Sequence, residues 1–329
     1  MMRTVAKRRK TMTSFLLVLC VSGNLACQDG QLRSGNEARP LPALQGKSLP
    51  GDKERFDSTI VSADWLKSNY AEVVLLDARE EGDYLGGHLP GAVNAFWTYW
   101  ANTSVPQGSP GWASIVPKEL LAQKIAALGI DGTKQVVVYV DPLKGWGEDG
   151  HALWVLHSYG LRNVRVLNGG ISSWLAAGGK VTKDKPAIKP GQTPRATDGP
   201  VLNVDTAFVE RNLKSIRLLD VREDKEFAGL KVYGEKRKGR IPGANHIWFK
   251  DFLNADGTWQ SPGQIRARVE SVGFGTDDEI VAYCTGGIRS GFATVALRLA
   301  GFTKAKNYNG SFSEWAGTDK PVDTSAFKK

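Results

Sequence analysis

Residues 279–290 read Glu279-Ile280-Val281-Ala282-Tyr283-Cys284-Thr285-Gly286-Gly287-Ile288-Arg289-Ser290, an apolar run followed by a cysteine and a glycine-containing loop. The pattern that follows, Gly291 to Ala300, is typical of a helix. A thiol between a buried strand and a helix N-terminus lies where backbone N–H groups converge, and the helix dipole stabilises a negative charge there. Cys284 is therefore predicted to be a nucleophile held as a thiolate.

Working outward from this stretch, the chain contains an internal repeat. Four motifs of the first half recur in the same order in the second half, with an insertion between the first two motifs of the second copy. The matching pairs are 74–80 with 217–223, 87–92 with 239–244, 135–140 with 279–283, and 168–174 with 309–315. Two copies of one domain are therefore predicted.

Each copy alternates short apolar runs with helical patterns. In the second copy we expect strands at 218–221 and 280–283 and helices at 265–272 and 292–300. This alternation favours an α/β fold, with a parallel sheet flanked by helices on both faces and joined by right-handed crossovers. The 329 residues, 41% of them hydrophobic, are enough for two such cores.

The expected boundaries place domain 1 at 55–177 and domain 2 at 201–329. Residues 178–200 between them are rich in lysine and proline, which is typical of an extended linker.

The N-terminus has the pattern of a secretory signal. Five basic residues within 3–10 precede the apolar stretch Phe15 to Val21 and a small-residue exit at 22–26. Cys27 then follows a sequence similar to a bacterial lipidation box, so lipid attachment and ordinary cleavage both stay open. We expect residues 1–27 to be a signal, residues 28–54 to be a flexible tether, and the protein to be exported to the periplasm or cell envelope.

Charge and cysteine content narrow the function further. The net charge of +9 falls to +4 without the five basic residues of the leader, and no basic stripe interleaved with aromatic residues is visible. A nucleic-acid partner is therefore not expected. Of the three cysteines, Cys20 and Cys27 belong to the leader or its edge, so Cys284 has no disulfide partner in the mature domains.

Together, the repeated motifs resemble those of the tandem-domain rhodanese family of sulfurtransferases. They comprise an Asp-x-Arg strand end, a Gly-His/Arg-x-Pro-Gly-Ala turn, a cysteine loop and a late Asn-Gly segment with tryptophan, spread over Phe56 to Val322. The resemblance implies a thiosulfate or 3-mercaptopyruvate sulfurtransferase that carries sulfur as a persulfide on Cys284 and needs no cofactor. Substrate binding would then involve Arg289 and the other loop residues, Thr285, Gly286, Gly287, Ile288 and Ser290.

The two copies are expected to divide the work. Domain 1 has Asp141 where domain 2 has Cys284, and a carboxylate cannot attack sulfur, so domain 1 is predicted to be catalytically silent and to shape one wall of the cleft. Asp220 and Arg222 at the first strand end of domain 2 are predicted to support the loop, as an ion pair or through hydrogen bonds.

Arg289 allows two interpretations. Its guanidinium could bind the anionic donor and lower the thiol pKa, or it could pair with a carboxylate at the helix start. Many relatives have a donor-binding arginine where this chain has Glu226, and the loop matches neither the basic version usual for thiosulfate enzymes nor the Gly-Ser-Gly-Val-Thr version usual for mercaptopyruvate enzymes. Thiosulfate is favoured because Arg289 adds charge to the loop; 3-mercaptopyruvate is the alternative.

The length of the cysteine loop also bears on other classes of function. Dual-specificity phosphatases share the fold but have five residues between cysteine and arginine, whereas Cys284 and Arg289 enclose four. A non-catalytic module or a relay that passes persulfide to a partner protein stays open. His88 and His246 have no neighbouring ligand residues in the sequence and are expected to be structural, so no metal site is predicted.

Overall fold

The computed structural model describes residues 32–35, 38–196 and 201–325. The strands in this part of the chain are β1 (Ile60–Val61), β2 (Val73–Asp77), β3 (Val93–Asn94), β4 (Gln135–Tyr139), β5 (Val164–Leu167), β6 (Asn203–Val204), β7 (Arg217–Asp220), β8 (Asn245–His246), β9 (Ile280–Tyr283) and β10 (Lys306–Tyr308).

Helices surround these strands. They are α1 (Asp52–Asp57), α2 (Ala63–Asn69), α3 (Glu81–Gly86), α4 (Trp97–Trp100), α5 (Lys118–Ala127), α6 (Glu148–Tyr159), α7 (Gly170–Ala176), α8 (Thr206–Asn212), α9 (Asp224–Phe227), α10 (Pro262–Glu270), α11 (Ile288–Leu299) and α12 (Ser311–Ala316), with short 3₁₀ helices at Tyr70–Glu72 and Phe249–Phe252.

The strands form two five-stranded sheets of the same topology. Their orders are β1-β5-β4-β2-β3 and β6-β10-β9-β7-β8, and every pairing of neighbouring strands is parallel. All four residues of β9 are buried, as expected for a central parallel strand covered by helices on both faces. The predicted α/β class and the two-domain repeat are confirmed.

Local signals explain where two predicted helices differ from the observed ones. The helix expected at 265–272 begins earlier, at Pro262, because Ser261 and Gln264 form a capping box and proline suits the first helical position. The helix expected to start at Phe292 starts at Ile288, because Gly287 adopts a left-handed conformation and turns the chain directly into it. Half of the cysteine loop therefore belongs to the first turn of α11.

The two domains are packed through equivalent helices, α6 of domain 1 and α11 of domain 2. A Cβ atom on Gly150 would lie 2.6 Å from the Phe292 ring, so only glycine allows this approach. The asparagines of the two late Asn-Gly motifs also form hydrogen bonds with the other domain. Asn168 accepts a hydrogen bond from the backbone of Trp259, and Asn309 accepts one from the backbone of Ile115, both at 2.9 Å.

The segment before domain 1 differs from the flexible tether that its composition predicted. The Arg33 side chain is 8% exposed and forms ion pairs with Asp224 at 3.0 Å and Asp251 at 2.5 Å. Asp52 pairs with Arg266 at 2.8 Å. Two buried carboxylates of domain 2 need a cation close by, and Arg33 supplies it. This segment is therefore docked on domain 2.

Other expectations for the termini lie outside the described residues. These are the leader, the cleavage region and Cys27. Within 32–35, 38–196 and 201–325, no helix combines the length and the apolar character needed to cross a membrane.

Candidate active site

Cys284 lies at the carboxyl end of β9 and directly before α11. Its side chain is 1% exposed, and its Sγ atom accepts a hydrogen bond from the Gly287 N–H at 3.1 Å. The hydroxyls of Ser290 and Ser311 lie 3.5 Å and 3.9 Å from the same sulfur. A backbone N–H, the Ser290 hydroxyl and the N-terminal end of a 12-residue helix thus stabilise negative charge on this sulfur, whereas the Ser311 hydroxyl donates to the Tyr308 carbonyl at 2.7 Å.

The loop can take this shape because of its two glycines. Gly287 has φ +93°, and a Cβ atom on it would lie 2.1 Å from the Asn309 side chain. A Cβ atom on Gly286 would lie 2.7 Å from the Trp112 ring. Gly287 permits the turn into α11, and Gly286 allows a tryptophan of domain 1 to pack directly on the loop.

The Arg289 side chain is paired with a carboxylate. It is buried and donates to Glu226 at 2.6 Å and 2.9 Å and to Thr285 Oγ1 at 2.7 Å. Burial alone would raise the pKa of Glu226, but the Arg289 charge outweighs it and the pKa lies below its usual range. Of the two interpretations of Arg289, carboxylate pairing is observed, while donor binding stays a prediction.

Asp220 and Arg222 lie behind the loop and do not contact the Cys284 sulfur. Arg222 donates to Asp220 at 2.6 Å and to the Gly239 carbonyl at 2.8 Å, and Arg79 makes the same two contacts with Asp77 and Gly87 in domain 1. The motif is therefore structural in both domains. In domain 2 the Asp220–Arg222 pair is also connected to the cysteine loop.

That connection to the loop runs through Glu235. Its Oε1 atom lies 3.9 Å from Arg222 Nη1 and 2.8 Å from Thr285 Oγ1. The supporting role of Asp220 and Arg222 stays a prediction; the contacts that would carry it run from Arg222 through Glu235 to Thr285.

A cavity of about 220 Å³ lies above Cys284. Four aromatic side chains line it together with the loop, namely Trp97, Trp112, Trp146 and Tyr233. A somewhat larger cavity of about 280 Å³, between α1, α6 and α11, contains no cysteine. The chemistry and the aromatic cavity therefore coincide at Cys284.

Domain 1 supplies three of these four rings. Trp97 is the first residue of α4, and Trp112 lies in the segment that follows this helix. In that segment, the Gly111 N–H donates to Glu314 at 3.0 Å, and the Ala113 carbonyl accepts a hydrogen bond from Asn309 at 3.1 Å. These contacts hold the segment over the site. The sequence did not single out these tryptophans, since no local pattern shows which distant segment will cover the cysteine.

Trp146 comes from the loop of domain 1 that is equivalent to the cysteine loop. Asp141 in that loop forms an ion pair with Lys144 at 3.3 Å. The loop is also longer: α6 begins seven residues after Asp141, whereas α11 begins four residues after Cys284. The three extra residues extend the loop toward domain 2. Domain 1 thus forms one wall of the cleft, as the sequence predicted.

His88 and His246 both hydrogen-bond to the backbone. His88 contacts the carbonyls of Tyr84 and Asp184 at 2.9 Å and 3.1 Å, and His246 contacts the carbonyl of Arg222 at 2.8 Å. Across the described part of the chain, no group of three or more His, Cys, Asp or Glu residues is arranged to hold a metal ion.

Several known proteins are similar to this chain in sequence. The chain is 29% identical to "Sulfur carrier protein TtuD" of Thermus thermophilus, over 78% of this chain and 93% of that protein. It is 34% identical to a "Probable 3-mercaptopyruvate sulfurtransferase" of Pseudomonas aeruginosa (73% and 86% covered) and 31% identical to the "Thiosulfate sulfurtransferase" of Corynebacterium glutamicum (87% and 94% covered).

Solved structures agree on the fold. An anaerobic ergothioneine biosynthesis enzyme from Chlorobium limicola superposes with a TM-score of 0.72 at 22% identity, covering 82% of this chain and 71% of that one. The model of the rhodanese-like domain matches twice, at residues 62–177 and 206–318, which agrees with the two sheets described above. With one cysteine loop intact and its counterpart replaced, this chain belongs to the rhodanese family as a tandem pair of rhodanese-like domains.

Proposed function

We propose that this protein transfers sulfane sulfur from thiosulfate to a thiophilic acceptor through a persulfide on Cys284. The observation that carries the proposal is the position of the Cys284 sulfur, 3.1 Å from the Gly287 N–H at the start of α11. In the first step, the thiolate attacks the outer sulfur of thiosulfate. The sulfur–sulfur bond of the donor breaks, sulfite leaves with the electron pair, and the enzyme holds Cys284–S–S⁻.

The second step returns the thiolate. A nucleophile such as cyanide or a thiolate attacks the outer sulfur of the persulfide, and the bonding pair returns to Cys284. The loop N–H and the dipole of α11 stabilise the anion before and after each step, so the site does not have to rearrange between them. Neither step requires a metal or an added oxidant.

Thiosulfate and 3-mercaptopyruvate are the two candidate sulfur donors. The relatives named as thiosulfate sulfurtransferases support thiosulfate. The relative with 34% identity, whose name gives 3-mercaptopyruvate, supports that donor as a second candidate. Because Glu226 neutralises the charge of Arg289, the charge of the cysteine loop does not separate the two donors.

The test is a comparison of the two donors with purified protein. Thiosulfate and cyanide should give thiocyanate, with a higher kcat/KM than 3-mercaptopyruvate and cyanide. A preference for 3-mercaptopyruvate would reverse the choice of donor. Persulfide formation without release to small acceptors would favour the relay function, which the sulfur carrier relative also supports.

The ion pair at Arg289 leads to a prediction about donor affinity. Glu226→Gln should lower the KM for thiosulfate about fivefold, because the Arg289 charge is no longer neutralised, and should lower stability by about 1–3 kcal/mol. Initial rates and urea unfolding measure the two effects. Asp83 occupies the position of domain 1 that is equivalent to Glu226, but it is exposed; Asp83→Asn is therefore the matched control. A folded Glu226→Gln protein with an unchanged or higher KM would contradict this role.

A second prediction concerns the silent domain. Asp141→Cys in a Cys284→Ala background should not form a persulfide with thiosulfate, because α6 begins seven residues away and the loop is longer than in domain 2. Mass spectrometry of the peptide around position 141 measures the outcome. A sulfur adduct on the introduced thiol would show that domain 1 keeps a competent loop.

The location of the protein is part of the same proposal. The leader pattern supports export to the periplasm or cell envelope, with lipid attachment at Cys27 as one of two outcomes. Six residue steps separate Cys27 from the buried Arg33, a reach of about 20 Å, so a lipid would hold domain 2 close to the membrane. Mass spectrometry of the mature N-terminus distinguishes a lipidated Cys27 from an ordinary cleaved end.

A further inference from the structure

We infer that the aromatic cavity above Cys284 binds an organic thiol with an uncharged, aromatic or apolar body, and that this thiol is the preferred sulfur acceptor. The inference rests on the proposed persulfide function and names the class of acceptor for it. The aromatic cavity is defined by Trp97, Trp112, Trp146 and Tyr233 around the mouth of the cysteine loop.

Aromatic rings that contact one another form the walls of the aromatic cavity. Trp97 and Trp112 meet edge to face with centroids 6.3 Å apart, and Trp146 and Tyr233 do so at 5.3 Å. Trp112 also packs against Gly286 at the floor. Rings held in this way present flat apolar surfaces, on which another ring can pack face to face or edge on.

The charges around the cavity do not favour an anion. Of the described residues that line it, Arg289 is the one cation, Glu226 neutralises its charge at 2.6 Å, and the Cys284 persulfide is itself an anion. Glu235, behind Thr285, adds a second buried carboxylate. An anionic acceptor would meet no free cation here, whereas an uncharged acceptor would lose little on leaving water.

A cationic acceptor is disfavoured as well. The Arg289 guanidinium lies 5.1 Å from the Trp146 ring centroid and 5.9 Å from that of Tyr233, so it already occupies the position where a ligand cation would interact with these two rings. The cavity therefore fits an uncharged body best.

The volume of the aromatic cavity and its position next to Cys284 suit such a thiol. A cavity of about 150 Å³ is large enough for benzene, and this one has about 220 Å³. Cys284 is among the residues that line it, so a ring between the tryptophans would bring an attached thiolate to the persulfide. The thiolate attacks the outer sulfur, the product R–S–S⁻ forms, and Cys284 leaves as the thiolate, so atoms and charge balance.

The experiment uses the full-length protein with its Cys284 persulfide formed from thiosulfate, and measures persulfide decay with four thiols. Phenylmethanethiol should react with a kcat/KM about 30-fold above that of 2-mercaptoethanol, which has a similar thiol acidity but no ring. Anionic 3-mercaptopropionate and cationic thiocholine should both react more slowly than phenylmethanethiol. Equal rates within threefold, or a preference for either charged thiol, would overturn the inference.

Variants locate the effect in the cavity. Trp112→Leu and Trp97→Leu, on different segments, should each reduce the ratio of phenylmethanethiol to 2-mercaptoethanol from about 30 to below about 5. Trp65→Leu, in a different hydrophobic cluster of domain 1, is the matched control and should keep the ratio. A ratio unchanged in both cavity variants would refute the binding site. Failure of the persulfide to form would contradict the proposed function instead, so the two failures are distinguishable.

Discussion

Replacing Cys284 with alanine is expected to lower thiocyanate formation from thiosulfate and cyanide by at least about a thousandfold, because the variant has no nucleophile to carry the sulfur. Within the described residues Cys284 is the sole cysteine, and the equivalent position of domain 1 is an aspartate, so no second thiol there can take over. Steady-state rates with the purified variant measure the effect.

The matched control for this variant lies in the other domain. Asp141→Asn changes the equivalent loop position and should keep the rate within about twofold, since Asp141 contacts Lys144 rather than the cysteine loop. A Cys284→Ala protein that is folded and retains a tenth or more of the wild-type rate would refute catalysis through a persulfide. A large loss in Asp141→Asn would show that domain 1 contributes to the chemistry.

The second large effect concerns stability. Arg222→Met should destabilise the protein by about 3–5 kcal/mol, because it leaves the fully buried Asp220 carboxylate without its partner. The side chains of Arg222 and Asp220 are 1% and 0% exposed, and methionine cannot replace the charged hydrogen bonds. Urea unfolding, followed by tryptophan fluorescence and circular dichroism, measures the change.

Domain 1 again provides the matched comparison. Arg79 makes the same contacts with Asp77 but is 10% exposed, so Arg79→Met should cost less than Arg222→Met. Only Arg222→Met should also reduce the sulfurtransferase rate per folded molecule, because Arg222 reaches Thr285 through Glu235. An equal loss of activity in both variants would contradict this positioning role.

Much of the fold could be predicted from the sequence because its signals are local and repeated. The apolar run before Cys284 became β9 at the predicted residues, and the paired motifs anticipated two sheets of one topology. The cysteine loop was visible for the same reason. Its strand, glycines and helix lie within about 20 consecutive residues, where spacing carries the geometry.

Long-range contacts could not be predicted in this way. Arg33 lies 191 and 218 positions from the two aspartates that bind it, and its own segment has the composition of a tether. Trp97 and Trp112 reach Cys284 only because α6 and α11 bring the domains together. Glu226 was visible as a departure from the expected arginine, but its partner Arg289 is 63 positions away.

The central claim is that Cys284 carries the transferred sulfur, and the mass of the protein after a single turnover tests it most directly. Incubation with thiosulfate and no acceptor should add the mass of one sulfur atom to the protein, located by peptide mapping on Cys284, and cyanide should remove it as thiocyanate. A folded wild-type protein that forms thiocyanate without this adduct, or with the adduct on another residue, would contradict the account.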